Sequence, residues 1–170
     1  IQNGGTDWQS ELLRKSVVHS HSLSLAGGSK STKYYASLNY FGQDGVLKTS
    51  SYDRYDGRVN IEYTGPKLKA GANISTSYTK DKVVPLGYNT NEEGGVLYAA
   101  RNFDPTLAIK NEDGSYQRSD FLNVDNPLAL LYGKTSTTNN YRTLGTAFAE
   151  YTVVDGWKIK ANVGFDVRNS

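Results

Sequence analysis

Between residues 55 and 78 the chain alternates with a period of two, and that pattern restricts what it can fold into. Tyr55, Gly57, Val59, Ile61 and Tyr63 share one parity; Asp56, Arg58, Asn60 and Glu62 share the other. Successive side chains of a β-strand point to opposite faces, so this run has one apolar and one polar face. Residues 68–78 repeat the arrangement. Leu68, Ala70, Ala72, Ile74, Thr76 and Tyr78 oppose Lys69, Gly71, Asn73, Ser75 and Ser77. Thr64-Gly65-Pro66-Lys67 between the two runs carries turn-forming residues, so the stretch reads as an antiparallel hairpin.

The same signal recurs on both sides. Residues 19–26 alternate weakly, with Leu23 and Leu25 against Ser20, Ser22 and Ser24. After a turn at 27–32, residues 33–43 place Tyr34, Ala36, Leu38 and Tyr40 opposite Ser37 and Asn39. Residues 141–153 put Tyr141, Thr143, Gly145, Ala147, Ala149, Tyr151 and Val153 on one face. A turn at 154–156 leads to residues 157–167, where Trp157, Ile159, Ala161, Val163, Phe165 and Val167 oppose Lys158, Lys160, Asn162 and Asp166. The expectation is six antiparallel, up-and-down strands. The short turns at 27–32, 64–67 and 154–156 fall at one end of the strands; the longer connections at 43–54 and 79–140 fall at the other.

Helix signals are few. Residues 7–15 read as a short helix, with Asp7 as its cap and Trp8 and Leu12 one turn apart on one face. Residues 92–102 form a second, closed by Phe103-Asp104-Pro105 because proline disfavours a helical residue before it. Asn111-Glu112-Asp113-Gly114 reads as a small hairpin turn. Residues 126–131 are apolar but too short to assign. The remainder of 79–140 reads as irregular, and an irregular segment this long is uncommon and usually functional.

Composition excludes several classes. Only 37% of the 170 residues are hydrophobic, yet there are 13 Tyr and 17 Gly, which suits half-polar strands better than an ordinary globular core. Net charge is +2 with both signs interspersed, which gives no basic footprint for nucleic acid. There is no Cys, hence no disulfide scaffold and no Cys-ligated zinc. No run reaches the ~18 apolar residues of a membrane helix. No signal peptide is evident, and the chain opens on Ile1, which reads as a processed product or an excised piece.

The aromatic residues suggest what the apolar faces are for. Tyr55 and Tyr63 end one apolar face, roughly 26 Å apart at ~3.3 Å per residue. Outer-membrane barrels carry a ~25 Å apolar band between two aromatic girdles, with short turns at one end and long loops at the other. Tyr34 with Tyr40, Tyr141 with Tyr151, and Trp157 with Phe165 repeat the two-ended pattern. The fold class expected is all-β, a portion of a large transmembrane barrel. A soluble sheet with one wet face is the alternative. Six strands are fewer than the eight of the smallest such barrels, and open edges are not tolerated in lipid, so a longer parent chain is expected.

Taken in order, several stretches resemble SusC/RagA-type TonB-dependent outer-membrane transporters. They are Gly5-Thr6-Asp7-Trp8-Gln9, HSLSLAGGSKSTKYYASLNYFGQDGVL from His21, YDRYDGRVNIEY, LKAGANISTSYTK, NPLALL and AEYTVVDGWKIKANVGFD. The resemblance implies a barrel of roughly 22 strands with a plugged lumen. Residues 1–18 would end an extracellular loop, 19–78 would be four strands, 79–140 a long extracellular loop and 141–168 two strands. It further implies import of glycan fragments or peptides across the outer membrane, energy relayed through TonB, and a SusD-like surface lipoprotein as lid. The plug and the TonB-contacting segment match nothing here, so this chain alone would not transport. A secreted or surface β-domain that binds carbohydrate without transport is the competing function.

Candidate chemistry is sparse. His19 and His21 share a strand face and could hold a metal, but no third ligand is evident, and they read as strand residues near a barrel rim. Asp104, Glu112, Asp113, Asp120 and Asp125 lie among turn residues, without the defined separation of a glycosidase pair or the spacing of a calcium loop. No nucleophile motif or phosphate loop is present, so no enzyme activity and no cofactor is expected. The polar parity supplies candidate lumen-lining residues: Asp56, Arg58, Asn60, Glu62, Asn73, Lys158 and Lys160. Tyr88, Tyr98, Phe103, Tyr116 and Phe121 are candidate contacts for substrate or lid, with packing inside the loop as the competing role.

Overall fold

The computed structural model describes residues 5–84, 95–120 and 123–170. The chain divides into two compact units. One comprises Val18–Gly42, Asp53–Lys80 and Thr138–Ser170; the other comprises Ile1–Val17, Gln43–Tyr52 and Asp81–Thr137.

The first unit is a sheet. Its strands are β1 (Val18–Gly28), β2 (Thr32–Asp44), β3 (Ser51–Thr64), β4 (Leu68–Val83), β5 (Ser136–Val154) and β6 (Trp157–Asn169). They lie in the order β1-β2-β3-β4-β5-β6, so every strand pairs with its chain neighbours in an up-and-down meander. All six expected strands form, and the sheet is open. Their ends run further than the alternation suggested: β3 starts at Ser51, β4 continues to Val83 and β5 starts at Ser136. Hydropathy marks only the apolar band, whereas the ladder of backbone hydrogen bonds needs only extended neighbouring chains and continues past it.

The short turns are tightly closed. Ser29 N–H donates to the Thr32 carbonyl at 2.6 Å, and Gly65 N–H to the Leu68 carbonyl at 2.7 Å. Asp155-Gly156 closes β5 onto β6, with Gly156 at φ +88°, a left-handed conformation that side chains disfavour. In that hairpin Tyr141 faces Asn169, Ala149 faces Ala161 and Tyr151 faces Ile159. Neighbouring hairpins are also tied: Thr64 N–H donates to the Ser31 carbonyl and Thr152 N–H to the Lys67 carbonyl.

The second unit has its own core, built in part from residues of 79–140 that the sequence left unassigned. Its helices are α1 (Trp8–Leu12), α2 (Val96–Asn102) and α3 (Pro127–Gly133). Asp7 caps α1 as expected, accepting from Gln9 and Ser10 N–H at 3.1 and 3.2 Å. The helix is shorter than 7–15, because the backbone at Leu13 turns extended and Leu13 bridges to Leu47. For the second expected helix, residues 92–94 lie outside the described residues, and Phe103 ends it where the sequence indicated. Residues 111–115 make the expected turn, with Gly114 at φ +84°. Helix α3 occupies the stretch that the sequence left unassigned. Asn126 caps it by accepting from Leu128 and Ala129 N–H, and Pro127 sits in the first turn, where its missing N–H costs nothing.

Trp8, Leu12, Val84, Val96, Ala99, Phe103, Leu128 and Leu131 are all buried together. They come from both ends of the unit's sequence, with Leu47 packed against them from the 43–52 segment. No one segment has enough apolar residues for a core; pooled, they do. Each fully buried Leu, such as Leu12 and Leu131, contributes about 1.5–3 kcal/mol. Polar ties reinforce the assembly. Trp8 Nε1 donates to the Asp104 carbonyl at 3.1 Å, Thr6 Oγ1 to Leu107 at 2.7 Å, and Thr49 Oγ1 to Leu131 at 3.2 Å. Arg14 gathers the Gly45 and Ser50 carbonyls at 3.0 and 2.7 Å and pairs with Asp44 at 3.0 Å.

Candidate functional site

The two faces of the sheet differ in chemistry. On the apolar face Leu23 is 71% exposed, Ile159 64% and Val163 68%. Val59, Ile61 and Ile74 are exposed as well. Soluble monomers rarely expose contiguous apolar patches beyond a few hundred Å², so a face of this kind marks an interaction surface or a membrane.

A row of rings crosses this face at the strand ends that lead into the long connections. His21 stacks on Tyr40 with ring centres 6.2 Å apart. Tyr40 meets Tyr55 at 4.9 Å, Tyr55 meets Tyr78 at 5.9 Å, and Tyr78 meets Tyr141 at 4.5 Å. The row thus spans β1 to β5. Towards the short turns, Tyr34, Tyr63, Tyr151 and Trp157 are exposed on the same parity. Gly145 leaves room on this face for the Phe165 ring, which a Cβ would strike. His19 and His21 belong to the row, 5.9 Å apart between ring centres. Among the described residues no three His, Cys, Asp or Glu side chains gather as metal ligands would.

The polar face is laced with ion pairs. Of the candidate lumen residues, Asp56 pairs with Arg54 at 3.0 Å, Glu62 with Lys69 at 3.4 Å and Lys158 with Glu150 at 2.9 Å. Lys160 lies 5.6 Å from the centre of the Phe148 ring. Arg142, opposite Arg168 in the register, grips Asp166 with two nitrogens at 3.0 and 2.9 Å. Exposed pairs of this kind are worth about 0–1 kcal/mol each. Their larger effect is to fix where the charges stand.

Concavities open on this face among the described residues, two of them lined by charged and aromatic side chains. One of about 460 Å³ is lined by Lys33, Tyr35, Asn60, Glu62, Asn73 and Phe148. Asn60 Oδ1 is buried and has no donor among the described residues. Gly71 makes space for the Phe148 ring there. The other, about 450 Å³, is lined by Tyr35, Ser37, Asn39, Arg54, Arg58 and Arg142, among others. Sequence reasoning did not single out Tyr35, Phe148, Arg54 or Arg142. The available signal was an aromatic or a guanidinium on the polar parity, where no membrane or core requires one.

In the second unit the candidate contacts separate. Phe103 is 3% exposed and packs edge-on against Trp8 at 4.9 Å, so it builds the core and offers no face to a ligand. Tyr116 is partly buried against the same core, with Lys110 Nζ 5.4 Å from its ring centre. Tyr98 is exposed, beside Leu12, Leu13, Leu97 and Arg101 in a cavity of about 350 Å³. Tyr88 and Phe121 lie outside the described residues.

The loop carboxylates serve local turns. Asp104 accepts from the Thr106 hydroxyl and N–H at 2.7 and 2.8 Å, which holds its carboxyl below the usual range. Asp113 is lowered likewise by the Ser115 hydroxyl and N–H. Glu112, Asp120 and Asp125 are exposed.

No protein-family model matches the chain. Curated relatives do. It is similar to TonB-dependent receptor P3 of Formosa agariphila, 33% identical over 170 residues that cover 97% of this chain and 17% of the receptor. Receptor P26 of the same organism is 32% identical over 96% of this chain and 16% of its own length. TonB-dependent receptor SusC of Bacteroides thetaiotaomicron is 26% identical over 89% of this chain and 17% of its own. The chain therefore spans about 17% of the length of the relatives it matches. Among solved structures, the RagAB peptide transporter matches with a TM-score of 0.71 at 22% identity, over 97% of this chain and 19% of that one. The RagAB peptide importer in its open-open state matches with a TM-score of 0.72 at 22% identity, over 96% and 19%. These two likenesses bear on the fold: the six strands match part of a transporter β-barrel.

Proposed function

The chain is kin to TonB-dependent receptors of the SusC and RagA type, and on that premise we propose that it forms wall and surface structure of an outer-membrane nutrient transporter. The observation that carries this reading is the uncovered apolar face, bounded by aromatic rows, backed by an ion-paired polar face. In lipid such a face gains burial, at about 25 cal/mol per Å² of apolar area removed from water. The polar face then lines the lumen, with Asp56, Arg58, Asn60, Glu62, Asn73, Lys158 and Lys160 among its residues. The open edges β1 and β6 pair with further strands, since lipid tolerates no unpaired edge.

Residues 1–18 and 79–140 are extracellular in this reading, being joined at the strand ends opposite the short turns. Tyr98, with its neighbouring apolar groove, and Tyr116 are the aromatic groups proposed to meet substrate or a SusD-like lipoprotein. Glycan fragments or peptides are the proposed cargo, and TonB supplies energy through parts of the transporter beyond this segment. A freestanding carbohydrate-binding domain would leave the apolar face in water, which disfavours that reading.

Fractionation of source cells, with an antibody to this segment, tests the proposal. The expected result is an outer-membrane band several times heavier than 18.7 kDa. A soluble band at 18.7 kDa would refute it. Purification from the membrane in mild detergent should carry a surface lipoprotein along; a transporter isolated alone would remove the lid from the account.

A further inference from the structure

The polar face of the sheet carries cations that its own carboxylates do not answer. Each carboxylate on that face within the sheet unit is already engaged. Asp56 is with Arg54, Glu62 with Lys69, Glu150 with Lys158, and Asp166 with both Arg142 and Arg168. Lys33 and Arg58 form no ion pair among the described residues, while Lys160 stands cross-strand from Glu150 and within its field without a direct contact. Lys160 has the Phe148 ring beneath it. The Arg58 side chain has neither an ion pair nor a hydrogen bond among the described residues.

Arg58 also stands in a shaped place. It lines the concavity of about 450 Å³ together with Arg54 and Arg142. The rest of the wall includes the Tyr35 ring and the hydrogen-bonding groups of Ser37 and Asn39. Three guanidinium groups share this wall with a single carboxylate, Asp56, which Arg54 holds at 3.0 Å. Arg142 is fixed by its two-point grip on Asp166. The wall therefore keeps an excess of positive charge on a low-dielectric surface, which attracts anions. A guanidinium fork matches the paired oxygens of carboxylate or sulfate, and such charge-assisted bonds are about twice as strong as neutral ones.

We propose that this concavity binds an acidic group of the transported solute, a carboxylate or a sulfate, with Arg58 as the residue that grips it. Arg54 and Arg142 set the surrounding field, Ser37 and Asn39 offer bonds to neighbouring hydroxyl or amide groups, and Tyr35 gives a flat wall. The inference rests on the polar face being the lumen face, and it names the cargo class as acidic oligomers in preference to neutral ones.

The test uses the full-length transporter in detergent, with calorimetric titration of four probes: trigalacturonate, maltotriose, N-acetyl-triglutamate and N-acetyl-trialanine amide. One acidic probe should bind at least about tenfold more tightly than its neutral counterpart, and added salt should narrow the gap. Which acidic probe it is distinguishes a glycan source of the acid from a peptide source. Arg58→Gln should weaken that probe roughly tenfold and leave the neutral one unchanged, while Arg58→Lys should keep part of the preference. An inserted transporter with no preference for either acidic probe overturns the proposal. So does an Arg58→Gln variant that weakens acidic and neutral probes equally. So does one that leaves every probe unaffected while lowering the transporter's thermal midpoint, since Arg58 would then be answering a carboxylate of the protein itself. Outer-membrane insertion is read in parallel. A wild-type protein that does not insert fails the lumen reading; an inserted one blind to probe charge fails this inference alone.

Discussion

Val59→Arg places one charge at the centre of the apolar face. Val59 is 56% exposed there. It lies four residues from Tyr55 and four from Tyr63, so roughly 13 Å from each aromatic row at ~3.3 Å per residue. An arginine near the bilayer midplane of a barrel costs about 2–4 kcal/mol, falling to about 0–1 near the interfaces. That range lowers the folding equilibrium roughly 30- to 700-fold, at tenfold per 1.4 kcal/mol. The control is Asn60→Arg, the same added charge one residue along on the polar parity. It should cost less than about 1 kcal/mol, as expected away from the core and lipid. The assay is guanidinium titration of the full-length transporter refolded into lipid vesicles, with the heat-sensitive gel shift of the folded barrel as a second readout. If Val59→Arg and Asn60→Arg lose equal stability, the two faces do not meet different solvents, and the argument from parity fails.

Other outcomes follow from the second unit. Asn126→Ala should remove the α3 cap, worth about 0.5–2 kcal/mol, and take from the Gln117 carbonyl the Nδ2 bond at 3.0 Å, while the Ile109 carbonyl, reached at 3.2 Å, keeps its bond from the Gln117 N–H. Hydrogen exchange at 127–133 should then accelerate while the strands stay protected; unchanged exchange would contradict the assigned cap. For pH, Asp104 and Asp113 have folded values below the ordinary 3.8. A depressed carboxyl contributes stability above its unfolded value and loses it as pH falls through the folded one. Exchange protection at 104–116 should therefore be flat near neutrality and decline only below about pH 4, earlier in pH for Thr106→Val than for wild type. A decline between pH 5 and 7 would mean that other groups control this turn.

Period-two alternation made the sheet legible. Each strand needs only its own residues to declare two faces, and the Gly and Pro turns mark the reversals. Strand ends were not legible, because pairing continues where the apolar signal stops. The aromatic row was visible only as separate tyrosines, since stacking Tyr55 on Tyr78 and Tyr78 on Tyr141 depends on register between strands. The second unit was largely hidden. Its Trp8 packs on Phe103 and its Thr6 bonds to Leu107, contacts between segments far apart in the chain. Periodicity within one segment cannot reveal such a core. One part was recoverable: Asn126-Pro127 before an apolar run is a helix-start signal, an N-cap followed by proline at the first position. On the polar face the paired charges were visible as residue types, but which of them lack a partner depends on the geometry.

The most direct measurement is nitroxide scanning of residues 55–63 and 157–165, with single cysteines placed in this cysteine-free segment of a vesicle-embedded transporter cleared of cysteine elsewhere. Accessibility to oxygen, which dissolves in lipid, and to a water-soluble nickel complex should alternate residue by residue. Oxygen should win at Val59, Ile61, Ile159 and Val163, and nickel at Arg58, Asn60, Lys160 and Asn162. Loss of that alternation, or nickel winning at both parities, would show that water wets both faces and that the sheet is not a wall between lipid and lumen.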